Sequence, residues 1–164
     1  MIRAITTFGF IGLMRPAPGT WGSAAALALG VWIDAALGFP ALALATAAVT
    51  ALGFWACAQA LRDRPGEDPS EIVIDEVAGQ WLALLFPSAA FFFGPGKEGL
   101  LPWPAWVGAF VLFRLFDITK PWLVGRADRR HDPAGVMLDD LWAGVFAGIG
   151  VILAGILWHL VLFS

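Results

Sequence analysis

Residues 39–61 contain no charged side chain, and residues 141–163 contain none but the titratable His159. A bilayer-spanning helix needs about 20 predominantly apolar residues, so each run is long enough to cross. Backbone polar groups inside lipid must be satisfied within the segment, which makes such runs helical. Hydrophobic residues make up 59% of the 164, charged residues only 14%, with nine Trp and no Tyr. Mean hydropathy is +0.77. The chain therefore reads as one all-α, polytopic membrane domain over residues 1–164.

Taken in order, residues 1–14 are apolar but too short to span and read as an interfacial or buried helix. No small-residue cleavage site follows Arg3, so a removable signal peptide is not expected. Residues 15–23 hold two prolines and two further glycines and read as a connector, with Thr20 or Ser23 capping the next helix. Residues 24–38 are apolar except for Asp34. After 39–61 comes a polar loop, 62–71, with helix-start chemistry at Ser70. Further spans are expected over 72–93, from 103 to about 116, and over 141–163, with a turn-rich connector at 94–99. If 24–38 also crosses, the count is about five transmembrane helices plus the short N-terminal helix. Arg3, Arg15, Arg62, Arg64, Lys120, Arg126, Arg129 and Arg130 then share one face, and Lys97 alone lies on the other. The positive-inside rule makes the basic face cytoplasmic. The net charge of −3, with scattered basic residues, gives no nucleic-acid footprint. Cys57 is the one cysteine, so no internal disulfide can form.

Charge is concentrated in 114–140, and it intrudes into the ends of the apolar runs at Arg114, Asp117, Asp139 and Asp140. Ionisable groups at such depths are expensive and face partners or a polar cavity. Asp75 and Glu76 lie inside another apolar run, after Ile72, Val73 and Ile74. An acidic residue near a helix N-terminus gains from the helix dipole, which accounts for Glu71 better than for Asp75 and Glu76. Gly19-Thr20-Trp21-Gly22-Ser23 is either a plain turn and cap or a set of backbone N–H groups suited to phosphate oxygen. Arg114, Asp117 and Lys120 can form helix-spaced ion pairs. Ala143, Gly144, Ala147 and Gly148 sit at spacings that let another helix approach closely. His131 could serve as a base or simply be a polar loop residue. An excess of carboxylates suits Mg²⁺, and Arg with Lys would complete a phosphate clamp. The residues point to metal-assisted phosphate chemistry at a membrane face. The alternative is a small transporter or helical scaffold whose charges form an ion path; there the acids should lie near the midplane, not at segment ends.

The chain resembles the phosphatidylglycerophosphatase A family of bacterial inner membranes. The resemblance rests on ordered motifs: Pro18-Gly19-Thr20-Trp21-Gly22-Ser23, Ile72-Val73-Ile74-Asp75-Glu76-Val77-Ala78-Gly79, Phe113-Arg114-Leu115-Phe116-Asp117-Ile118-Thr119-Lys120-Pro121-Trp122, Ala127-Asp128-Arg129, and Gly135-Val136-Met137-Leu138-Asp139-Asp140-Leu141-Trp142-Ala143-Gly144. This chain departs from the pattern at Leu123, where proline is expected, and in connector 129–135, which is a residue short and lacks paired glycines. The resemblance implies a Mg²⁺-dependent lipid phosphatase that converts phosphatidylglycerophosphate to phosphatidylglycerol, the cardiolipin precursor, at the cytoplasmic face. It implies that Asp75, Glu76, Asp139 and Asp140 hold one or two Mg²⁺. Arg114, Lys120 and Arg129, with Thr20 and its neighbouring backbone, would neutralise phosphate charge. Asp117 or Asp128 would orient the attacking water or attack phosphorus itself.

Overall fold

Glycine at position 38 decides the course of the first half of the chain. The computed structural model describes residues 1–64, 66–94 and 100–162, and among them it is all-helical, with no strand. After a short α1 (Ile2–Thr6) and a 3₁₀ turn at Ile11–Leu13, α2 runs over Pro18–Ala60. A straight helix of that length would measure about 65 Å, twice a bilayer core. It is broken at Gly38 (φ 79, ψ 174), followed closely by Pro40. That backbone region is open almost exclusively to glycine.

The break folds α2 into a hairpin against α3 (Ile74–Phe93). Along the outgoing arm, Gly22 meets Val73 and Gly30 meets Trp81 and Leu84; just past the break the Phe39 ring meets Phe92 and Phe93. The Trp81 indole N–H donates to the Ala26 carbonyl at 2.7 Å. The returning arm ends beside the start of α3, where Gly53 packs on Met137 and Ile74. Gly38→Ala should cost about 1–3 kcal/mol, the usual cost of holding a side chain in a glycine-only region. A Cβ there would meet nothing nearer than Pro40 Cδ at 3.7 Å, so the loss would be purely backbone strain. Thermal unfolding in detergent measures it, and an unchanged midpoint would show that the bend does not need glycine.

The remaining elements are α4 (Trp103–Thr119), α5 (Trp122–Asp128) and α6 (Pro133–Leu162). Helix α4 returns antiparallel to α6, with Gly108 on Val151 and Leu112 on Gly150. The outgoing arm of α2, its returning arm, α3, α4 and α6 thus alternate in direction. Helices Pro18–Ala60, Ile74–Phe93 and Pro133–Val161 are each long and apolar enough to cross a membrane. Leu42, Val77, Leu84, Phe113 and Met137 are fully buried between the helices, while Trp32, Leu44, Ile118, Leu157 and Val161 face outward. An apolar exterior around a packed interior is what a lipid-facing bundle requires.

Several boundaries differ from the sequence reading. Gly19 to Ser23 are helical rather than a connector, because Pro18, with its fixed φ, starts α2. Neither Thr20 nor Ser23 caps it: the N-cap is Ala17, without a side-chain bond, and Ser23 Oγ instead donates to the Gly19 carbonyl at 2.7 Å. The outgoing arm therefore begins at 18 rather than 24, which makes it about 30 Å long. Its buried-side Asp34 accepts a hydrogen bond from Ser88 of α3. Ser70 does not start α3, whose N-cap is Val73; the Val73 N–H is taken by the Thr6 carbonyl at 2.8 Å. The N-terminal helix is five residues, not fourteen, because the chain turns left-handed at Phe8, Gly9 and Phe10. The expected connector at 94–99, with Lys97, lies mostly outside the described residues.

The segment 120–138 is no plain loop. It contains α5 and the first turns of α6, because Asp132 caps the helix through Gly135 N–H at 2.6 Å and Pro133 occupies its first turn. The hydrogen bond from Arg130, helped by that N–H, holds the Asp132 carboxyl below its usual range. Asp139 and Asp140 consequently sit well inside α6 instead of opening it.

Candidate active site

The site begins where two backbones touch. A Cβ on Gly144 of α6 would run into the Gly79 carbonyl of α3, and one on Gly79 would lie 2.5 Å from the Asp140 carbonyl and 2.6 Å from the Phe113 ring. Small residues are what permit so close a crossing. Asp75 and Glu76 lie one turn before Gly79, and Asp140 lies one turn before Gly144, so the crossing presses the three acids together. Their carboxylate oxygens come within 4.8 Å of one another. Asp75 and Asp140 are 7% and 3% exposed, and among the described residues Glu76 Oε2 and Asp140 Oδ1 are buried without a hydrogen-bond partner. Buried carboxylates at this spacing are stable only when a cation or bound protons offset their charge. An all-oxygen donor set of this kind fits a hard divalent ion.

Gly19 has a role that the spacing of its motif does not reveal. A Cβ there would collide with Glu76 Oε1, so the bare glycine gives the Glu76 carboxylate its room. The same first turn of α2 contributes Gly19 and Thr20 to the cavity wall. Their N–H groups precede the first helical bond, which runs from Trp21 N to the Ala17 carbonyl. A helix start of this kind favours anions.

Two cations complete the wall. Arg114 Nη1 pairs with Asp117 at 2.6 Å and donates to Ser23 Oγ at 3.3 Å. Lys120, in the left-handed conformation at the end of α4, bonds Asp128 at 2.5 Å and Asp139 at 2.6 Å. Burial works against the Lys120 charge, yet these two carboxylates outweigh it and raise the pKa above its ordinary value. Lys120 is a cation throughout the physiological range.

The resulting cavity, about 210 Å³, is lined by Asp68, Asp75, Glu76, Asp117, Asp139 and Asp140 opposite Arg114 and Lys120, with Thr20 at its edge. Of the ten residues singled out in the sequence, eight line it. Asp128 stands behind Lys120, in the wall of an adjoining cavity of about 150 Å³ that also includes His131. Arg129 is exposed at the end of α5 and lies outside both walls. Asp139 is oriented toward Lys120, not into the cluster of three acids, because adjacent helical residues project about 100° apart. Asp68 was missed: it stands on the connector before α3, where only its position just upstream of Asp75 and Glu76 could have marked it. Gln80, one turn beyond Glu76, is fully buried, and neither amide atom is hydrogen-bonded among the described residues.

Membrane-length apolar helices that enclose a cavity of clustered acids, Arg and Lys are what a membrane-bound phosphohydrolase requires. The chain belongs to the phosphatidylglycerophosphatase A family, whose model matches residues 4–155, and with it to the phosphoric monoester hydrolases. It is 37% identical over 142 residues to phosphatidylglycerophosphatase A of Haemophilus influenzae, covering 85% of this chain and 80% of that protein. It is 33% identical over 151 residues to phosphatidylglycerophosphatase A of Escherichia coli K12, covering 91% and 77%. A Bacteroides thetaiotaomicron protein named putative phosphatidylinositol-3-phosphatase is 38% identical over 154 residues, covering 91% and 89%. No solved structure matches the chain significantly.

Proposed function

We propose that the protein crosses the bacterial inner membrane five times and removes the terminal phosphate of phosphatidylglycerophosphate at the cytoplasmic face. The products are phosphate and phosphatidylglycerol, the precursor of cardiolipin. The alternating directions of the two α2 arms, α3, α4 and α6 support the count of five. The observation that carries the reading is the meeting of Asp75, Glu76 and Asp140 in one cavity with Arg114 and Lys120. The substrate follows from the names of the Haemophilus and Escherichia relatives.

Mg²⁺ held by Asp75, Glu76 and Asp140 would supply Lewis-acid polarisation of the phosphoryl group. Arg114, Lys120 and the N–H groups at the start of α2 offset the negative charge of the bound phosphate. Asp117, fixed by Arg114 on the cavity wall, orients the attacking water. Asp128 and Asp139 hold Lys120 in place from two sides.

Purified protein in detergent micelles should release phosphate from phosphatidylglycerophosphate with Mg²⁺, stop when EDTA is added, and resume when Mg²⁺ is restored. Undiminished release in EDTA would remove the metal from the scheme. Faster turnover of phosphatidylinositol 3-phosphate would reassign the substrate to the type named for the Bacteroides relative.

A further inference from the structure

Six carboxylates line the main cavity: Asp68, Asp75, Glu76, Asp117, Asp139 and Asp140. Five of them are committed. Asp75, Glu76 and Asp140 converge on one point, Asp117 is paired with Arg114, and Asp139 is paired with Lys120. Among the described residues, Asp68 alone of the six takes part in no hydrogen bond, ion pair or acid cluster. Loss of a phosphate from an alcohol leaves an alkoxide, a strong base that needs a proton as the P–O bond breaks. A group already held by a cation is poorly suited to give one.

We propose that Asp68 is a further catalytic residue, the general acid that protonates the leaving oxygen of the lipid headgroup. This rests on the phosphatase reading above. Asp68 stands where the main cavity joins the adjoining one, since it lines both, and the residue is partly open to solvent. It can therefore reach a phosphomonoester in the main cavity and take up a fresh proton from solvent. The carboxyl is easier to protonate than a free aspartate because of partial burial first, with the Asp128 and Asp117 charges acting in the same direction and Lys120 against them. The balance is simple. The oxygen of water bonds to phosphorus as the ester P–O bond breaks, and the leaving oxygen takes the Asp68 proton to become the alcohol. Asp117 accepts the proton lost by the attacking water, and the two acids exchange protons with solvent before the next turnover.

The test compares phosphatidylglycerophosphate with an analogue fluorinated next to the carbon bearing the terminal phosphate, whose leaving alcohol is more acidic and needs less protonation. General-acid groups typically contribute 10²–10⁴-fold. Asp68→Asn should lower kcat about 100-fold or more on the natural lipid, but at least about tenfold less on the fluorinated one. Asp68→Glu, which keeps a proton donor, should recover much of the loss. An equal deficit on both lipids, or no deficit on either, overturns the assignment, since a structural role does not sense the leaving group. Wild-type protein that hydrolyses neither lipid would instead overturn the phosphatase reading itself.

Discussion

Asp140→Asn should reduce phosphate release by about 10³-fold while leaving the protein folded. Metal polarisation contributes several kcal/mol to such reactions, and about 4 kcal/mol corresponds to that factor. Among the described residues, Asp140 is one of three acids that converge, and its Oδ1 is buried with no hydrogen-bond partner. A neutral amide keeps the shape and removes the charge. The stability readout runs the other way. Without metal, replacing one of three buried like charges relieves repulsion, so the metal-free variant should melt no lower than wild type. A ligand that binds only the folded state at about 100 times its Kd stabilises it by about 2.7 kcal/mol. Wild type should show a Mg²⁺-dependent rise in Tm of this origin, and Asp140→Asn should lose most of it. A variant that retains both activity and the Mg²⁺ shift would remove Asp140 from the site.

Gly144→Leu should abolish activity and destabilise the bundle together. Inserting side-chain volume into a packed interface costs about 1–3 kcal/mol, and occasionally more. Here the obstacle is the Gly79 backbone carbonyl, which cannot rotate away as a side chain could, so the cost belongs at or above the upper end of that range. Helices α3 and α6 would have to separate, and Asp140 would move away from Asp75 and Glu76. Gly155→Leu, lower on the same helix, is the control: a Cβ there meets nothing within 4 Å. Thermal unfolding and phosphate release should both fall for the first variant and neither for the second. Equal behaviour of the two would show that the crossing does not organise the site.

Much of this arrangement was legible in the residues. Apolar run length marked the helices, and the small residues Ala143, Gly144, Ala147 and Gly148 marked the face of α6 that another helix could approach. Asp75, Glu76 and Asp140 stood out because charge inside apolar runs demands a reason. Other features were less accessible. The start of α6 was readable in Asp132 and Pro133, a cap followed by a first-turn proline, but the apolar run beginning at 141 masked it. Nothing in the adjacency of Asp139 and Asp140 told which would face the cluster and which would face Lys120. Asp68 lies in a polar connector whose path depends on where the returning arm of α2 ends, and no local pattern reports that.

The amino-acid sequence by itself determined that the chain is helical, that it has membrane-length apolar segments, and which residues carry charge where charge is costly. Those properties depend on composition and on the 3.6-residue period, which act within one segment. The tertiary structure alone decided which acids share a centre. Contacts between helices depend on where two backbones can touch, and here that point is set by the missing side chains of Gly79 and Gly144. The bend at Gly38 brings the returning arm back to the same end, and the bare Gly19 leaves space for Glu76. Absent atoms have no hydropathy or charge for a pattern to register; their effect exists only once the helices are packed.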